Sequence, residues 1–137
     1  IALGLGAKSL HDALDVVKGL PGPDLAGIAQ WTKANVPPGE TIVHLDWGDF
    51  VQLYHFDPTH RYLVGLDPMF LYVRNPAKAR LIEEMKSGRR FFDGPELGRE
   101  FGARYLVART RLRTTIEQSG LNPVFLDAGG AVYKISD

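Results

Sequence analysis

The chain has 137 residues, the length of one domain, with an apolar fraction of 45% that is ordinary for a globular protein. Sixteen basic residues balance sixteen acidic ones, so there is no net field to hold a phosphate backbone; no nucleic-acid partner is expected, and an anionic membrane is not favoured by overall charge. Cysteine is absent, which excludes disulfides, thiolate nucleophiles and cysteine-based zinc sites.

The apolar start IALGLGA is too short to span a bilayer. It reads either as the end of a transmembrane helix or as the frayed start of a soluble one. Ser9 caps a first helix with Leu10, Ala13, Leu14 and Val17 on one face, and Gly19 and Pro21 end it. Residues 1–22 are expected to be a helix and linker, membrane-proximal if IALGLGA ends a transmembrane helix, and 23–137 a single α/β domain. Asp24 caps the next helix, whose stripe is Leu25, Ile28, Ala29 and Thr32, and NVPPG at 35–39 stops it.

TIVHL, 41–45, is a short β-branched run and predicts a buried strand. Asp46 follows as an N-cap with Asp49 at the capping-box position. Trp47, Phe50, Val51 and Tyr54 fall at i, i+3, i+4 and i+7, the spacing of one buried helical face. DPTH at 57–60 is a turn and RYLVGL a second strand. This strand–helix–strand unit predicts a parallel pair.

Asn75-Pro76 caps a helix that turns Leu81, Ile82 and Met85 inward, and Asp93-Gly94-Pro95 starts another with Leu97 and Phe101. YLVAR, 105–109, reads as a third buried strand. Thr110 caps a helix carrying Leu112 and Ile116. PVFLD and AVYKI flank Ala128-Gly129-Gly130 as an antiparallel hairpin, with its last strand at the sheet edge. The sum is an α/β fold: a three-layer, Rossmann-like sandwich with a mostly parallel sheet and a C-terminal antiparallel hairpin.

The chemistry is concentrated between His44 and Pro76. GLGAKS at 4–9 departs from the phosphate-loop pattern, because Ala7 precedes Lys8 and no strand precedes Gly4; no GxGxxG follows the first strand, and no cofactor is expected. His44, His55 and His60 lie among aspartates and are candidate metal ligands, but their spacing matches no metal signature. Caps and turns explain Asp46, Asp57 and Asp67 without a metal. A nucleophile elbow is absent. Trp47, Tyr54, Phe56, Tyr62, Phe70 and Tyr72 are a dense aromatic set. Rings beside aspartates suit a sugar, stacking on its apolar face while carboxylates accept hydroxyl hydrogens, although a core accounts for most of these rings more simply. Open α/β sheets place ligands beyond the carboxyl ends of their parallel strands. The candidate ligand-binding residues are therefore Asp46, Trp47, Asp49, Asp67 and Phe70.

Two stretches carry a resemblance: WTKANVPPGETIV at 31–43, and WGDFVQLYHFDPTHRYLVGLDPMFLYVRNP at 47–76, with Trp47, Asp49, Phe50, Leu53, Tyr62, Gly65-Leu66-Asp67-Pro68 and Phe70-Leu71-Tyr72. Together they cover about a third of the chain, and the second is the more specific. The chain resembles the C-terminal soluble part of bacterial polytopic membrane proteins related to GT-C-type, lipid-linked-sugar glycosyltransferases. The resemblance implies an extracytoplasmic, periplasmic domain on the inner membrane. Its partners would be a parent transmembrane bundle and a glycan or lipid-linked sugar, and the catalytic carboxylates would lie in the bundle's loops rather than in these residues. A free-standing metal-assisted hydrolase using the His/Asp/aromatic block, and a protein-interaction module, are the competing expectations.

Overall fold

A computed structural model describes residues 25–137 except 64, 66 and 68. The expected first helix, the linker at 21–23 and the Asp24 cap lie outside the described residues. In chain order the elements are α1 (Ala26–Asn35), β1 (Thr41–His44), α2 (Asp49–Phe56), β2 (Arg61–Tyr62), α3 (Met69–Arg74), α4 (Pro76–Lys86), α5 (Gly94–Phe101), β3 (Ala103–Arg109), a 3-10 turn (Thr110–Leu112), α6 (Arg113–Glu117), β4 (Pro123–Leu126) and β5 (Gly130–Lys134). Among the described residues no helix is long and apolar enough to cross a membrane.

The sheet is mixed, in the order β2-β1-β3-β5-β4. β1 pairs in parallel with β2 and with β3, while β5 pairs antiparallel with β3 and β4. Two of the four pairings are thus parallel, fewer than a mostly parallel sheet requires. The hairpin forms as expected, but its last strand is not the edge. β5 inserts between β3 and β4, which leaves β4 outermost. The burial pattern explains this: Gly130 to Tyr133 are buried, whereas β4 alternates between half-buried and exposed. A strand apolar on both sides belongs inside a sheet, and one with a wet face suits its edge.

Side chains alternate along the strands, as the pleat requires. Val43, Leu106, Ala108, Ala131 and Tyr133 join one cluster with Leu81, Ile82, Met85, Leu97 and Ile116 of the later helices. Ile42, Val107 and Val132 join the other with Leu25, Ile28, Ala29 and Leu53 of α1 and α2. The core thus divides into two clusters, and each buried aliphatic side chain stabilises the fold by roughly 1.5–3 kcal/mol.

Local signals hold at several ends. Asn75 Oδ1 accepts from Lys78 N at 3.1 Å, and Asp93 Oδ1 accepts from Glu96 N at 2.9 Å. Gly102 closes α5 in the left-handed conformation, with φ of 58°, which glycine adopts without a Cβ penalty.

Three expectations are corrected. The helix after β1 begins at Asp49 without a side-chain cap, because both aspartates bind cations instead. Its buried side chains are Asp49 and Leu53, whereas Trp47 and Tyr54 are 55% and 50% exposed and Val51 is exposed as well. The apolar spacing was genuine, but β1 presents the opposite side of the turn to the core. Thr110 starts a 3-10 turn rather than capping a helix, although Leu112 and Ile116 are buried as expected.

Tyr133 is fully buried and its hydroxyl has no hydrogen-bond partner; burial pushes its pKa up to about 12. An unpaired buried hydroxyl carries a desolvation cost of roughly 1–3 kcal/mol. Tyr133→Phe is therefore expected to be neutral or to stabilise the domain by about 1 kcal/mol, measured by urea unfolding. Destabilisation would show that the hydroxyl has a partner.

Candidate functional site

The parallel strands β1 and β3 end side by side, with His44 registered opposite Val107. Five charged side chains gather beyond those ends. Asp46 follows β1, Asp49 opens α2, Lys86 closes α4, Arg109 ends β3 and Arg111 lies in the 3-10 turn.

Asp46 Oδ1 lies 2.5 Å from Arg111 Nη2 and 3.5 Å from Lys86 Nζ, an ion pair with each. Asp49 Oδ1 accepts from Arg109 Nε at 2.7 Å. Asp49 is buried, and its Oδ2 has no hydrogen-bond partner. Burial pushes the Asp49 carboxyl above its ordinary value, and Asp46 adds to this; the Arg109 hydrogen bond and charge oppose the shift without cancelling it. His44 is buried at the end of β1, with Nδ1 2.9 Å from the Asp46 carbonyl oxygen and its ring edge-on to Tyr62 at 6.1 Å.

Carboxylate-pair hydrolysis needs one carboxyl of raised pKa facing a substrate cleft. Asp49 has the raised pKa but is covered by the protein. Asp46 is only half-buried but is engaged by two cations. A cleft of ≈ 260 Å³ lined by Pro38, Gly39, Glu40, Thr41, Arg61 and Gly102 lies at the opposite, amino end of the strands. The cluster thus closes α2 and α4 over the strand ends by charge pairing.

The other candidates go elsewhere. Asp67 Oδ1 accepts from Met69 N at 2.8 Å and so shapes the start of α3. Phe70 and Trp47 are exposed. Among the described residues, no hydrogen bond or ion pair joins Asp67 or Phe70 to Asp46 or Asp49. The three histidines are held in three settings. His44 lies at the strand end, His55 is exposed on α2 with its ring edge-on to Phe56, and His60 is buried against Asp57. Among the described residues, no group of three histidine, aspartate or glutamate side chains is placed to hold a metal ion.

The aromatic set divides. Phe56 and Tyr62 pack against the core, as expected for most of it, but Trp47, Tyr54, Phe70 and Tyr72 are exposed. Sequence reasoning missed the cationic half of the cluster. A charged residue ending a buried strand was a usable signal for Arg109. Lys86 had none, since its partner lies forty residues away on another element.

No family model, curated protein or solved structure matches the chain.

Proposed function

We propose that this chain is a non-catalytic extracytoplasmic domain of a bacterial membrane glycosyltransferase-like protein. It would stand on the periplasmic side of the inner membrane, where it supports the transmembrane bundle or helps to hold an acceptor glycan or lipid-linked sugar. The observation that carries this reading is the state of the two best-placed acids. Asp46 and Asp49 are neutralised by Lys86, Arg109 and Arg111 instead of facing an open cleft. A domain built this way uses its strand-end charges for packing, and its exposed chemistry is aromatic and apolar. We also read the sheet, with helices against both faces, as a three-layer Rossmann-like sandwich. The alternating assignment of Ile42 and Val43 to the two core clusters supports that reading.

The test combines topology with turnover in the full-length parent. A reporter that folds only outside the cytoplasm, fused after Asp137, is expected to be active. Asp46→Asn and Asp49→Asn variants that remain folded are expected to keep sugar transfer close to the parent level. An active cytoplasmic reporter at that position would remove the domain from the periplasm. A loss of about a hundred-fold or more in either variant would make the cluster an acid–base centre and overturn the reading.

A further inference from the structure

The cleft at the amino ends of the parallel strands has a volume of ≈ 260 Å³ and is lined by Pro38, Gly39, Glu40, Thr41, Arg61 and Gly102. Turns that enter the strands build it. Gly39 N donates to the Thr59 carbonyl at 2.8 Å, and Arg61 N donates to the Glu40 carbonyl at 2.9 Å. Thr41 is registered opposite Arg61 on β2 and Ala103 on β3. The lining is thus fixed to the sheet, and backbone hydrogen bonds hold it in place before any ligand arrives. Nothing lies within 4 Å of where a Cβ would stand on Gly39 or Gly102, so the backbone there is open to a ligand.

Its polar groups differ in how far the protein already satisfies them. Glu40 accepts from Arg104 through both carboxylate oxygens, from Nε at 3.0 Å and from Nη2. Those hydrogen bonds hold its carboxyl below the ordinary value, so it is ionised at neutral pH. An ionised carboxylate has about four acceptor positions, so roughly two stay open. The acids of the adjoining segments are matched as well: Asp57 faces His60, and Asp137 faces Lys134. Arg61 differs. It is exposed, and among the described residues its guanidinium has no hydrogen bond or ion pair; its charge acts on Glu40 only through space. The Thr41 hydroxyl also has no hydrogen-bond partner among the described residues. The cleft therefore presents a fork of donors, a hydroxyl and a half-used carboxylate.

We propose that this cleft binds a small hydroxylated anion the size of one monosaccharide, a sugar acid or a sugar phosphate. The Arg61 guanidinium takes the carboxylate or phosphate group, whose paired oxygens match its planar fork. Glu40 accepts from ligand hydroxyls, and the Thr41 hydroxyl exchanges a hydrogen bond with another. An anion is favoured because Arg61 is the charge that the protein leaves unpaired in the lining, whereas Glu40 is neutralised by Arg104. Hydroxyls are favoured over an apolar body because only Pro38 among the lining residues has a wholly apolar side chain. Sites for drug-sized ligands run from roughly 300 Å³ upward, so a cleft of ≈ 260 Å³ suits one sugar unit rather than a chain. The cleft is separate from the Asp46–Asp49 cluster, and its ligand chemistry does not depend on which side of a membrane the domain occupies.

The test is an amide NMR titration of the 137-residue chain with glucuronate, glucose monophosphate, glucose and inorganic phosphate. Expected are saturable shifts at Gly39, Glu40, Thr41, Arg61 and Gly102 with one or both sugar anions, at a Kd on the order of 1 mM. Glucose and inorganic phosphate are each expected to bind roughly ten-fold more weakly, since each lacks one half of the contacts. The tighter of the two sugar anions identifies the acid group. Arg61→Gln is expected to weaken binding roughly ten-fold and Thr41→Val roughly three-fold, the effects of losing a charged and a neutral hydrogen bond. Arg74→Gln, which removes an exposed arginine on α3, is expected to leave binding unchanged. The same spectra show whether each variant is folded. Absence of saturable shifts with both sugar anions overturns the proposal. Inorganic phosphate binding as tightly as the sugar anions, or an equal loss in Arg61→Gln and Arg74→Gln, also overturns it, because either would reduce the contact to unspecific charge. Failure here leaves the periplasmic reporter result untouched, whereas an active cytoplasmic reporter sinks the proposed function without altering the affinity of the cleft.

Discussion

His60→Ala is expected to cost about 3 kcal/mol or more of folding stability, and Asp57→Ala a similar amount. Both side chains are fully enclosed, and His60 Nδ1 lies 2.6 Å from Asp57 Oδ2. The other ring nitrogen lies 3.2 Å from the Val36 carbonyl oxygen and 3.1 Å from that of Pro37. Thr59 donates to Asp57 Oδ1 from its hydroxyl at 2.5 Å and from its amide at 3.2 Å. The Thr32 hydroxyl lies 3.1 Å from Oδ2, and Tyr62 donates to the Asp57 carbonyl at 2.7 Å. One buried pair thus ties the end of α1, the end of α2 and the start of β2. Removing either member leaves the other polar group buried without its partner, the expensive way to break such a pair.

The same pair sets an acid limit. Burial alone would raise the Asp57 carboxyl, but hydrogen bonds from Thr59 and His60 and the attraction of His60 outweigh it and hold the carboxyl below its ordinary value of 3.8. A carboxyl depressed in the folded state contributes stability that is complete above its unfolded pKa, about 4, and is lost as pH falls through the lower folded value. Urea unfolding of the wild type is therefore expected to lose this contribution below about pH 4, while Asp57→Ala shows a smaller loss over the same interval. Parallel acid profiles for the two proteins, or an unchanged midpoint for His60→Ala at pH 7, would show that the pair does not carry this part of the fold.

Gly130→Ala is expected to destabilise the domain by about 3 kcal/mol and to disturb the charge cluster as well. A methyl group at position 130 would sit 2.2 Å from the Ala108 carbonyl oxygen and 3.1 Å from the Arg109 Cα. These are backbone atoms of the neighbouring strand, so the contact can be relieved only by moving β3 and β5 apart. Gly130 is registered opposite Arg109, and its amide donates to Asp127 Oδ1 at 3.1 Å in the hairpin turn. The separation would reach the residue that binds Asp49. Gly48→Ala is the control: nothing lies within 4 Å of a Cβ there, and its φ of −64° suits any residue. It is expected to change stability by less than about 0.5 kcal/mol. Equal midpoints for the two alanine variants would mean that the β3–β5 spacing tolerates a side chain. The Arg109 side-chain resonances would report whether the cluster moves with the strand.

Much of the local architecture follows from residue order. The stripe Leu25, Ile28, Ala29 and Thr32 is the buried face of α1, and Asn75 and Asp93 cap the helices they precede. YLVAR is a buried strand, and Ala128-Gly129-Gly130 joins an antiparallel pair. These features depend on contacts within a few residues, on caps and on the side-chain period, so they are written in adjacent positions. The sequence could not decide which of two apolar faces turns inward. Trp47, Val51 and Tyr54 have helical spacing, yet the core receives Leu53 with Asp49, because β1, β3 and Arg109 sit on that side. Nor could it place β5 between β3 and β4, or bring Lys86 and Arg111 to Asp46. Strand order and ion-pair partners join residues tens of positions apart, and their energies depend on distance and burial, which exist only once the chain is folded.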